Sequence, residues 1–428
     1  MKKILEKILK ILAILMLKRY KPKVIAITGN VGKTSAKDAV YVVLSSKFKT
    51  RRSEKSHNNE IGVPVTILGI DSYGNNLLKW LGAFLKVFVN LIWTKYPKVL
   101  ILEFGADRPN DIDYLVSIAT PDIAVVTAIG DVPAHIENFA SQGEIVKEKT
   151  KLVKAVSKNG VVILNNDYKS VKAMDKKTRA KVIRYGFSKK SDLIIYEPEI
   201  RDSKVLDGGA PFGTSFKIEY DGSTVPFRIQ EYGIPNIYAA SSACAVAVAM
   251  GMNLVDASEA LLKYKTPPGR FKLIAGIKNS VILDDSYNAS PSSMIVSLRT
   301  FEDFKAKRKI AVLGSMLEIG KYSEESHRTV GQLAVSFCDI IVTVGNKARF
   351  IFDEAEKAGF KKGDNLYSFD DSESLRKKIK SILKEDDFIL FKGSQGIRLE
   401  KAIKEILANP EKSKALLARQ SEEWLKKN

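Results

Sequence analysis

The sequence predicts an α/β protein with two domains built on mainly parallel sheets. Its 428 residues exceed what one domain normally holds, so two or three domains are expected. Short β-branched segments alternate with helical patterns in two successive series, which begin near Val24 and Ser280. Such alternation is typical of parallel strands covered by helices. A turn containing two glycines also follows the first strand and opens a helix, an arrangement that favours a ligand site.

The composition fits ordinary packed cores and argues against a wholly disordered or collagen-like chain, since 45% of the residues are apolar and 28% are charged. The net charge of +20 favours acidic partners: phosphorylated small molecules, nucleic acid or an anionic membrane surface. Nucleic acid is discounted because no aromatic-rich basic strand or binding motif accompanies the charge. Cys244 and Cys338 lie in unrelated contexts, which predicts no disulfide or cysteine metal site and fits a reducing compartment.

Residues 2–19 predict a basic amphipathic helix, with apolar side chains at helical spacing and lysines mainly on the other side. Its uninterrupted apolar run, 11–17, is far shorter than the roughly 20 residues that a spanning helix needs. A secretory signal is rejected because basic residues and a strand follow, without a small-residue cleavage site. The basic excess favours a membrane surface or a partner helix. We therefore expect a cytoplasmic protein. If the partner of this helix is lipid, the protein is expected to lie peripherally on the inner face of the cytoplasmic membrane.

Residues 77–93 form a second apolar stretch, with a tryptophan near each end and two lysines and an asparagine spaced to share one face. Two interpretations stay open for this segment. It is either a helix at a membrane surface or a helix packed in the core.

The first series predicts strands at 24–28, 99–105, 122–130 and 161–167, with helices from about 33 and 143. Residues 192–230 are rich in turns and predict a small antiparallel insertion before an alanine-rich helix at about 236–250. The segment KTPPGR, 265–270, combines two prolines with a glycine and predicts a hinge. The second series predicts strands at 280–286, 309–315, 339–345 and 387–394, with helices from about 291, 324 and 346.

The string ITGNVGKTS, 27–35, is the strongest local signal for a binding site because it follows a strand and opens a helix, where backbone N–H groups hold phosphate. Lys33 would neutralise the β and γ oxygens of ATP, and the Thr34 hydroxyl would ligate Mg²⁺. Ile27 replaces the first glycine of the common P-loop, yet ATP binding explains the string better than an accidental turn. The predicted nucleotide-binding residues are Gly29, Asn30, Val31, Gly32, Lys33, Thr34 and Ser35.

The chain therefore divides into a basic helix at 1–22, a P-loop central domain with a mainly parallel sheet at 23–266, and a Rossmann-like α/β domain at 267–428. The last residues, from about 409, predict a charged tail in solvent.

Three more residues of the central domain are candidates for chemistry. Glu103 ends a strand at the edge where α/β sheets bind ligands, so it is a candidate Mg²⁺ ligand, with a surface carboxylate as the alternative. His135 follows the next strand and suggests a metal or phosphate role, with a structural histidine as the alternative. Lys149 lies in a run of lysines, which is usually solvated.

In the second domain DDSYNASPSSM, 284–294, leaves a strand through a polar turn and starts a helix. Asp284 and Asp285 are candidates for holding a substrate or metal, and Asn288 for reaching a base or ribose. The turns after Gly314 and Lys392 occupy equivalent strand ends, so three loops are expected to meet at the edge facing the P-loop.

Taken together, these strings resemble the Mur ligases, ATP-dependent amide-forming enzymes that build the peptide of bacterial cell walls. The resemblance covers about 24–405 and is greatest to the member that adds D-alanyl-D-alanine to a UDP-N-acetylmuramoyl tripeptide. The strings that carry it are HNNEIGVPVTIL, LEFGADRPNDI, HIENFASQGEIVKEK, DDSYNASPSSM and AVLGSMLEIGKYSEESH.

The resemblance implies a role for each matching position. Lys149 would be carbamylated and would hold Mg²⁺, which replaces its interpretation as a solvated charge. Asn288 would approach the adenine side of ATP, and Arg270 its phosphates. The implied catalytic residues are Lys33, Glu103, His135 and Lys149, the metal-binding residues Thr34, Glu103, His135 and Lys149, and the substrate-binding residues Asn59, Asp285 and Lys392.

The implied chemistry is phosphoryl transfer to a carboxylate followed by amide formation, by a monomer whose two domains close. Only about 23 residues precede the P-loop strand, so the family's UDP-sugar domain is expected to be absent. Ser56, Asn110 and Pro235 also depart from the family pattern. One alternative is a ligase at the membrane surface acting on a lipid-linked or other carboxylate acceptor. Another is an ATP-binding scaffold without ligation, against which the retained catalytic set argues.

Overall fold

The computed structural model describes residues 2–54, 57–74, 76–93, 95–200 and 213–425. Ser56, and residues 201–212 of the predicted antiparallel insertion, lie outside these ranges. Two sheets, each mainly parallel and covered by helices, confirm the predicted α/β fold.

The first sheet has nine strands in the order β2-β3-β1-β4-β5-β6-β7-β8-β9. They are β1 Lys23–Thr28, β2 Thr50–Arg52, β3 Val99–Glu103, β4 Ile123–Val126, β5 Val161–Asn165, β6 Lys181–Gly186, β7 Leu193–Ile200, β8 Thr214–Tyr220 and β9 Ser223–Ile229. All pairs up to β7 are parallel, and β8 and β9 are antiparallel. The predicted antiparallel segment thus extends the edge of the main sheet and is not a separate insertion.

Helices cover both faces of this sheet because alternate strand residues point to opposite sides: Val24 and Ala26 to one core, Ile25 and Ile27 to the other. On the first side lie α1 Lys2–Tyr20, α3 Gly62–Leu68, α4 Leu77–Ile92, α5 Asp111–Ile118, α6 Gln142–Ala155 and α7 Lys169–Lys172. On the second lie α2 Lys33–Ser45, α8 Ile234–Ala249 and α9 Leu254–Leu261. Burial on both faces explains why the strands are continuous apolar runs.

The second sheet has six strands in the order β10-β11-β15-β12-β13-β14, of which β10 alone is antiparallel. They are β10 Lys272–Ala275, β11 Val281–Asp284, β12 Arg308–Gly314, β13 Ile340–Val344, β14 Leu366–Phe369 and β15 Asp387–Lys392. Its helices are α10 Pro291–Glu302, α11 Ser323–Ala334, α12 Arg349–Lys357, α13 Ser372–Ile382, α14 Glu400–Glu405, α15 Ser413–Leu416 and α16 Glu422–Leu425. The sheets change between Leu261 and Lys272, and the predicted boundary at 266–267 lies in that stretch.

The two amphipathic stretches each pack by one face. The helix α1 buries Leu9, Leu12 and Met16 against α3, α4 and α5. The helix α4 buries Trp80 and Val87 in the same core. In the described ranges, no helix is both long and apolar enough to cross a membrane.

The prediction of a solvated C-terminal tail holds for 409–412, which are exposed, but is wrong for 417–419, which are buried. Leu417 is buried in the core of the second domain, and Arg419 is buried beside it. The Arg419 guanidinium donates to the carbonyls of Ser286 at 2.9 Å and Tyr287 at 3.1 Å and pairs with Glu400 at 3.1 Å. Because a buried arginine needs such partners, the tail is fixed onto the turn that follows β11.

If α1 is part of the core, Met16→Ala should lower the free energy of unfolding by about 2 to 5 kcal/mol, since it removes a fully buried side chain. Ile11→Ala, on the exposed side of the same helix, should change it by less than about 0.5 kcal/mol. Urea unfolding measures both. Equal small losses would show that α1 is not packed as described.

Candidate active site

A cleft of about 860 Å³ lies between the two domains, at the carboxyl ends of their parallel strands. The P-loop, the end of β3, the segment after β4 and α6 form one wall. The turns after β11 and β15 form the other. The cleft brings together fourteen predicted site residues: Gly29, Asn30, Val31, Gly32, Lys33, Thr34, Ser35, Glu103, His135, Lys149, Arg270, Asp285, Asn288 and Lys392.

The P-loop is tied to the segment after β4. The N–H groups of Asn30 and Val31 donate to the carbonyl of Ala128 at 2.7 and 3.3 Å. Gly29 has φ 147°, and a Cβ there would lie 2.1 Å from Oγ1 of Thr127, so only glycine fits. The loop ends at the first residue of α2, where a helix N-terminus faces the cleft.

Lys33 bends back over this loop, and its Nζ donates to the Gly29 carbonyl at 2.8 Å. Burial lowers the pKa of Lys33; the Glu103 carboxylate opposes this effect and the Arg270 guanidinium adds to it. A cationic lysine in this position is therefore stabilised by an anion entering the cleft.

Glu103 is a buried carboxylate on which three elements converge. The Thr34 hydroxyl donates to its Oε2 at 3.1 Å, the Asn58 amide donates to its Oε1 at 3.3 Å, and Nζ of Lys37 lies 4.0 Å from its Oε2. The hydroxyl and the carboxylate are oxygen ligands of the kind that Mg²⁺ prefers.

Lys149 projects from α6 into the cleft and is only 1% exposed. Burial, and then the charge of Lys33, lower its pKa to about 7, although nearby carboxylates oppose this shift. A substantial fraction of a lysine with this pKa is an uncharged amine at neutral pH, which is the form that reacts with carbon dioxide.

His135 connects the two domains. Its Nδ1 lies 2.7 Å from the Glu318 carboxylate of the second domain, and its Nε2 lies 3.5 Å from that of Asp107. In the described part of the chain, no group of three or more His, Cys, Asp or Glu side chains is arranged to hold a metal ion. A metal site here would therefore need Thr34 or a modified Lys149 in addition to Glu103.

The opposite wall is held by a buried ion pair. Lys392 Nζ lies 2.5 Å from the Asp285 carboxylate, which also accepts from the Ser297 hydroxyl at 2.5 Å. Burial lowers the pKa of Lys392, and Asp285 opposes that shift. Lys392 also donates to the Asn288 carbonyl at 3.3 Å, which fixes the backbone of that turn.

Arg270 lies at the predicted hinge, with its guanidinium 4.0 Å from the centre of the Tyr287 ring. Among the described residues, its Nε, a donor, and the Oδ1 of Asn30, an acceptor, are buried polar atoms without a hydrogen-bond partner. An unpaired donor and an unpaired acceptor in a cleft beside a P-loop fit the polar groups of a bound nucleotide.

Asn59 differs from its predicted place. It is exposed, and its Oδ1 accepts from the N–H of Gly62 at 2.9 Å, so it caps the start of α3. The preceding Asn58 lines the cleft instead. In the sequence, nothing but the position of Asn58 beside Asn59 in the string HNNE indicated that Asn58 could reach the site.

Arg398 and Trp424 also line the cleft and were not predicted. The Arg398 guanidinium lies 5.3 Å from the centre of the Trp424 ring. Trp424 belongs to the C-terminal segment. This segment therefore contacts the cleft directly, in addition to holding the turn after β11 through Arg419.

Both domains match models of known protein families. The model of the Mur ligase middle domain matches residues 27–247, and that of the Mur ligase glutamate ligase domain matches 269–395. The UDP-N-acetylmuramoyl-tripeptide--D-alanyl-D-alanine ligase of Bacillus subtilis is 28% identical over 391 residues, which are 91% of this chain and 76% of that protein.

Two solved structures share the fold. MurF from Acinetobacter baumannii has a TM-score of 0.76 at 24% identity, covering 93% of this chain and 79% of that one. MurF from Thermotoga maritima in complex with ADP has a TM-score of 0.75 at 24% identity, covering 94% and 83%.

Gly29→Ala should abolish ATP binding, because the added Cβ would push the P-loop away from Thr127. It should also destabilise the protein by about 1 to 3 kcal/mol. Gly82→Ala, in open space on α4, should bind ATP normally and be equally or more stable. Calorimetric titration with ATP and thermal unfolding measure both variants. Unchanged ATP affinity in Gly29→Ala would show that the loop does not hold the nucleotide.

Proposed function

This chain belongs to the Mur ligase family, and we propose that it joins D-alanyl-D-alanine to a UDP-N-acetylmuramoyl tripeptide, at the expense of ATP, in the synthesis of peptidoglycan precursors. The name of the Bacillus subtilis relative supplies the two substrates. The observation that carries the proposal is the convergence of Lys33, Glu103 and Lys149 on one cleft between two domains. An enzyme that must bring ATP, an acid and an amine together needs such a junction.

In the proposed reaction the terminal carboxylate of the tripeptide attacks the γ-phosphate of ATP, releasing ADP and forming an acyl phosphate. The amine of D-alanyl-D-alanine then attacks the acyl carbon, and phosphate leaves through a tetrahedral intermediate. Lys33 would leave the Gly29 carbonyl for the γ-phosphate oxygens and offset charge that develops there. The backbone N–H groups at the start of α2 would hold the neighbouring phosphate.

Mg²⁺, when bound, would add charge stabilisation at the phosphoryl oxygens. We assign one site to Thr34 and Glu103, whose oxygens are already 3.1 Å apart, and a second to Glu103, His135 and a carbamylated Lys149. Carbamylation would convert a buried cation into a carboxylate. This change suits Lys149 because its position in the cleft next to Lys33 penalises a second positive charge.

The second domain would orient the nucleotide and close the site. We assign Asn288 to the adenine side and Arg270 to the phosphates, with Asp285 and Lys392 holding the facing turn for the substrates. The contact between His135 and Glu318 joins the two walls, so domain closure would exclude the water that hydrolyses an acyl phosphate. We transfer the substrate contact predicted for Asn59 to Asn58.

We place the enzyme in the cytoplasm, where both cysteines, buried and unpaired, would stay reduced. Both walls of the cleft are supplied by this chain, so the proposed reaction needs no second copy, and we propose a monomer.

Phosphate release from ATP and Mg²⁺ should require both the UDP-muramoyl tripeptide and D-alanyl-D-alanine. Lys33→Ala should reduce it by at least about a hundredfold, because it removes the charge over the phosphates. Lys158→Ala, an exposed lysine beyond α6, is the matched control and should retain full activity. No release with these substrates, but release with a lipid-linked muramoyl peptide, would instead favour the membrane-surface ligase. ATP binding without release from either acceptor would favour a scaffold.

Carbamylation of Lys149 can be observed without turnover, by ¹³C NMR of the protein equilibrated with ¹³C-labelled carbon dioxide. One carbamate signal should appear and should grow from pH 6 to pH 8 at fixed carbon dioxide pressure, because deprotonation through a pKa of about 7 exposes the amine. Lys149→Arg should remove the signal. Lys147→Arg, an exposed neighbour on the same helix, should keep it. A signal that survives Lys149→Arg would assign the carbamate elsewhere.

A further inference from the structure

Exposed apolar side chains are concentrated on two helices. Of the fifteen large hydrophobic residues that are exposed in the described ranges, eleven lie on α1, on α4 or directly after α4. They are 39% to 85% exposed: Ile4, Ile8, Ile11, Leu15, Leu78, Leu81, Leu85, Phe88, Val89, Ile92 and Trp93. Scattered apolar residues are normal on a protein surface, whereas a concentration of this kind marks an interaction site.

The two sets lie next to each other. Both helices cover the same face of the nine-stranded sheet and contact each other, and the Tyr20 hydroxyl at the end of α1 donates to the Asn90 carbonyl of α4 at 2.6 Å. Each helix packs inward by one stripe and leaves the opposite stripe exposed. We call the two exposed stripes, with Trp93, the outer apolar surface.

The two helices and their flanks are strongly basic in sequence. Residues 1–23 and 76–98, which contain both helices and their flanks, carry twelve lysines and arginines and one acid, Glu6. Lys2 lies 3.6 Å from that acid and 3.0 Å from Glu60, and Lys23 lies 3.8 Å from Asp122, so part of the positive charge is paired within the chain. On α4, Lys79 and Lys86 are exposed beside the apolar stripe. Lysine stems can lie along apolar surface while their ammonium groups reach outward to anions.

We propose that the outer apolar surface binds the anionic face of a phospholipid bilayer, with α1 and α4 lying in the plane of the interface. Helices with one wide apolar stripe, lysine flanks and an interfacial tryptophan have the chemistry of this binding mode. Basic residues near such a surface add to the attraction for anionic lipid. A second copy of the chain is a poor occupant, because two basic faces would repel each other. This binding is independent of the ligase reaction.

Vesicle flotation tests the proposal with the full chain. The protein should bind vesicles of equal parts phosphatidylglycerol and phosphatidylcholine at least tenfold better than vesicles of phosphatidylcholine alone. Raising the salt concentration should reduce that preference. Lys79→Glu with Lys86→Glu, which leaves the apolar stripe intact, should weaken binding to the anionic vesicles at least tenfold.

Leu81→Glu with Leu85→Glu should abolish binding. Its matched control is Val255→Glu with Leu262→Glu, two exposed apolar residues at α9 on the opposite side of the sheet, which should bind like the unaltered chain. Circular dichroism and ATP binding verify that each variant is folded. The proposal is overturned if the chain binds both vesicle types equally, or if the α9 double variant loses as much binding as Leu81→Glu with Leu85→Glu. It is also overturned if the chain does not bind vesicles, and dimers that Leu81→Glu with Leu85→Glu dissociates would then identify a second copy as the occupant.

Discussion

The burial of several lysines in one cleft is the constraint on which the site depends. Burial lowers the pKa of both Lys33 and Lys149, and the charge of Lys33 further disfavours a charge on Lys149. Glu103 and Asp107 offset part of this repulsion through their negative charge. An anionic substrate relieves the remainder, so the cleft without ligand is electrostatically prepared for phosphate. On the other wall, Lys392 has its own carboxylate partner in Asp285 and therefore supports the turn without demanding a ligand.

This arrangement works only if the two walls meet closely, and the domain junction is built for that. A Cβ on Gly130 would lie 2.3 Å from Cβ of Ser292 in the second domain, so the segment after β4 can approach α10 only as glycine. Ile136 and Phe139 of the first domain enter the apolar core of the second. These contacts, together with the one between His135 and Glu318, hold the wall that contains the P-loop opposite the turn after β11, which Arg419 fixes.

The sequence predicted those features whose cause is local. The turn after β1 depends on glycine positions between one strand and one helix, and the predicted strands depend on their own apolar runs. The strand, turn and helix at 23–45 and the strands β3, β4, β5, β11, β12, β13 and β15 were therefore identified correctly, whereas the shorter or half-buried β2, β6, β10 and β14 were missed. Asn58 and Asn59 could not be distinguished because their roles depend on the backbone path of one loop. The C-terminal tail was misjudged since its charged composition suggests solvent. Its stability comes from Leu417 in a core and from carbonyls 132 and 133 residues away from Arg419.

The second apolar stretch was ambiguous for a different physical reason. A helix that is apolar on most of its circumference meets the requirements of a core and of a membrane surface alike. In the structure α4 satisfies both, because Trp80 and Val87 occupy the core while Leu81 and Leu85 face outward. Two sets of lysines differ in the same way. Lys33, Lys149 and Lys392 line the cleft, where discrete phosphate groups would fit, whereas Lys79 and Lys86 are exposed beside an apolar stripe. The occupants that we propose for the two places, a nucleotide and a lipid surface, are anions of different size, and this difference would account for the two settings.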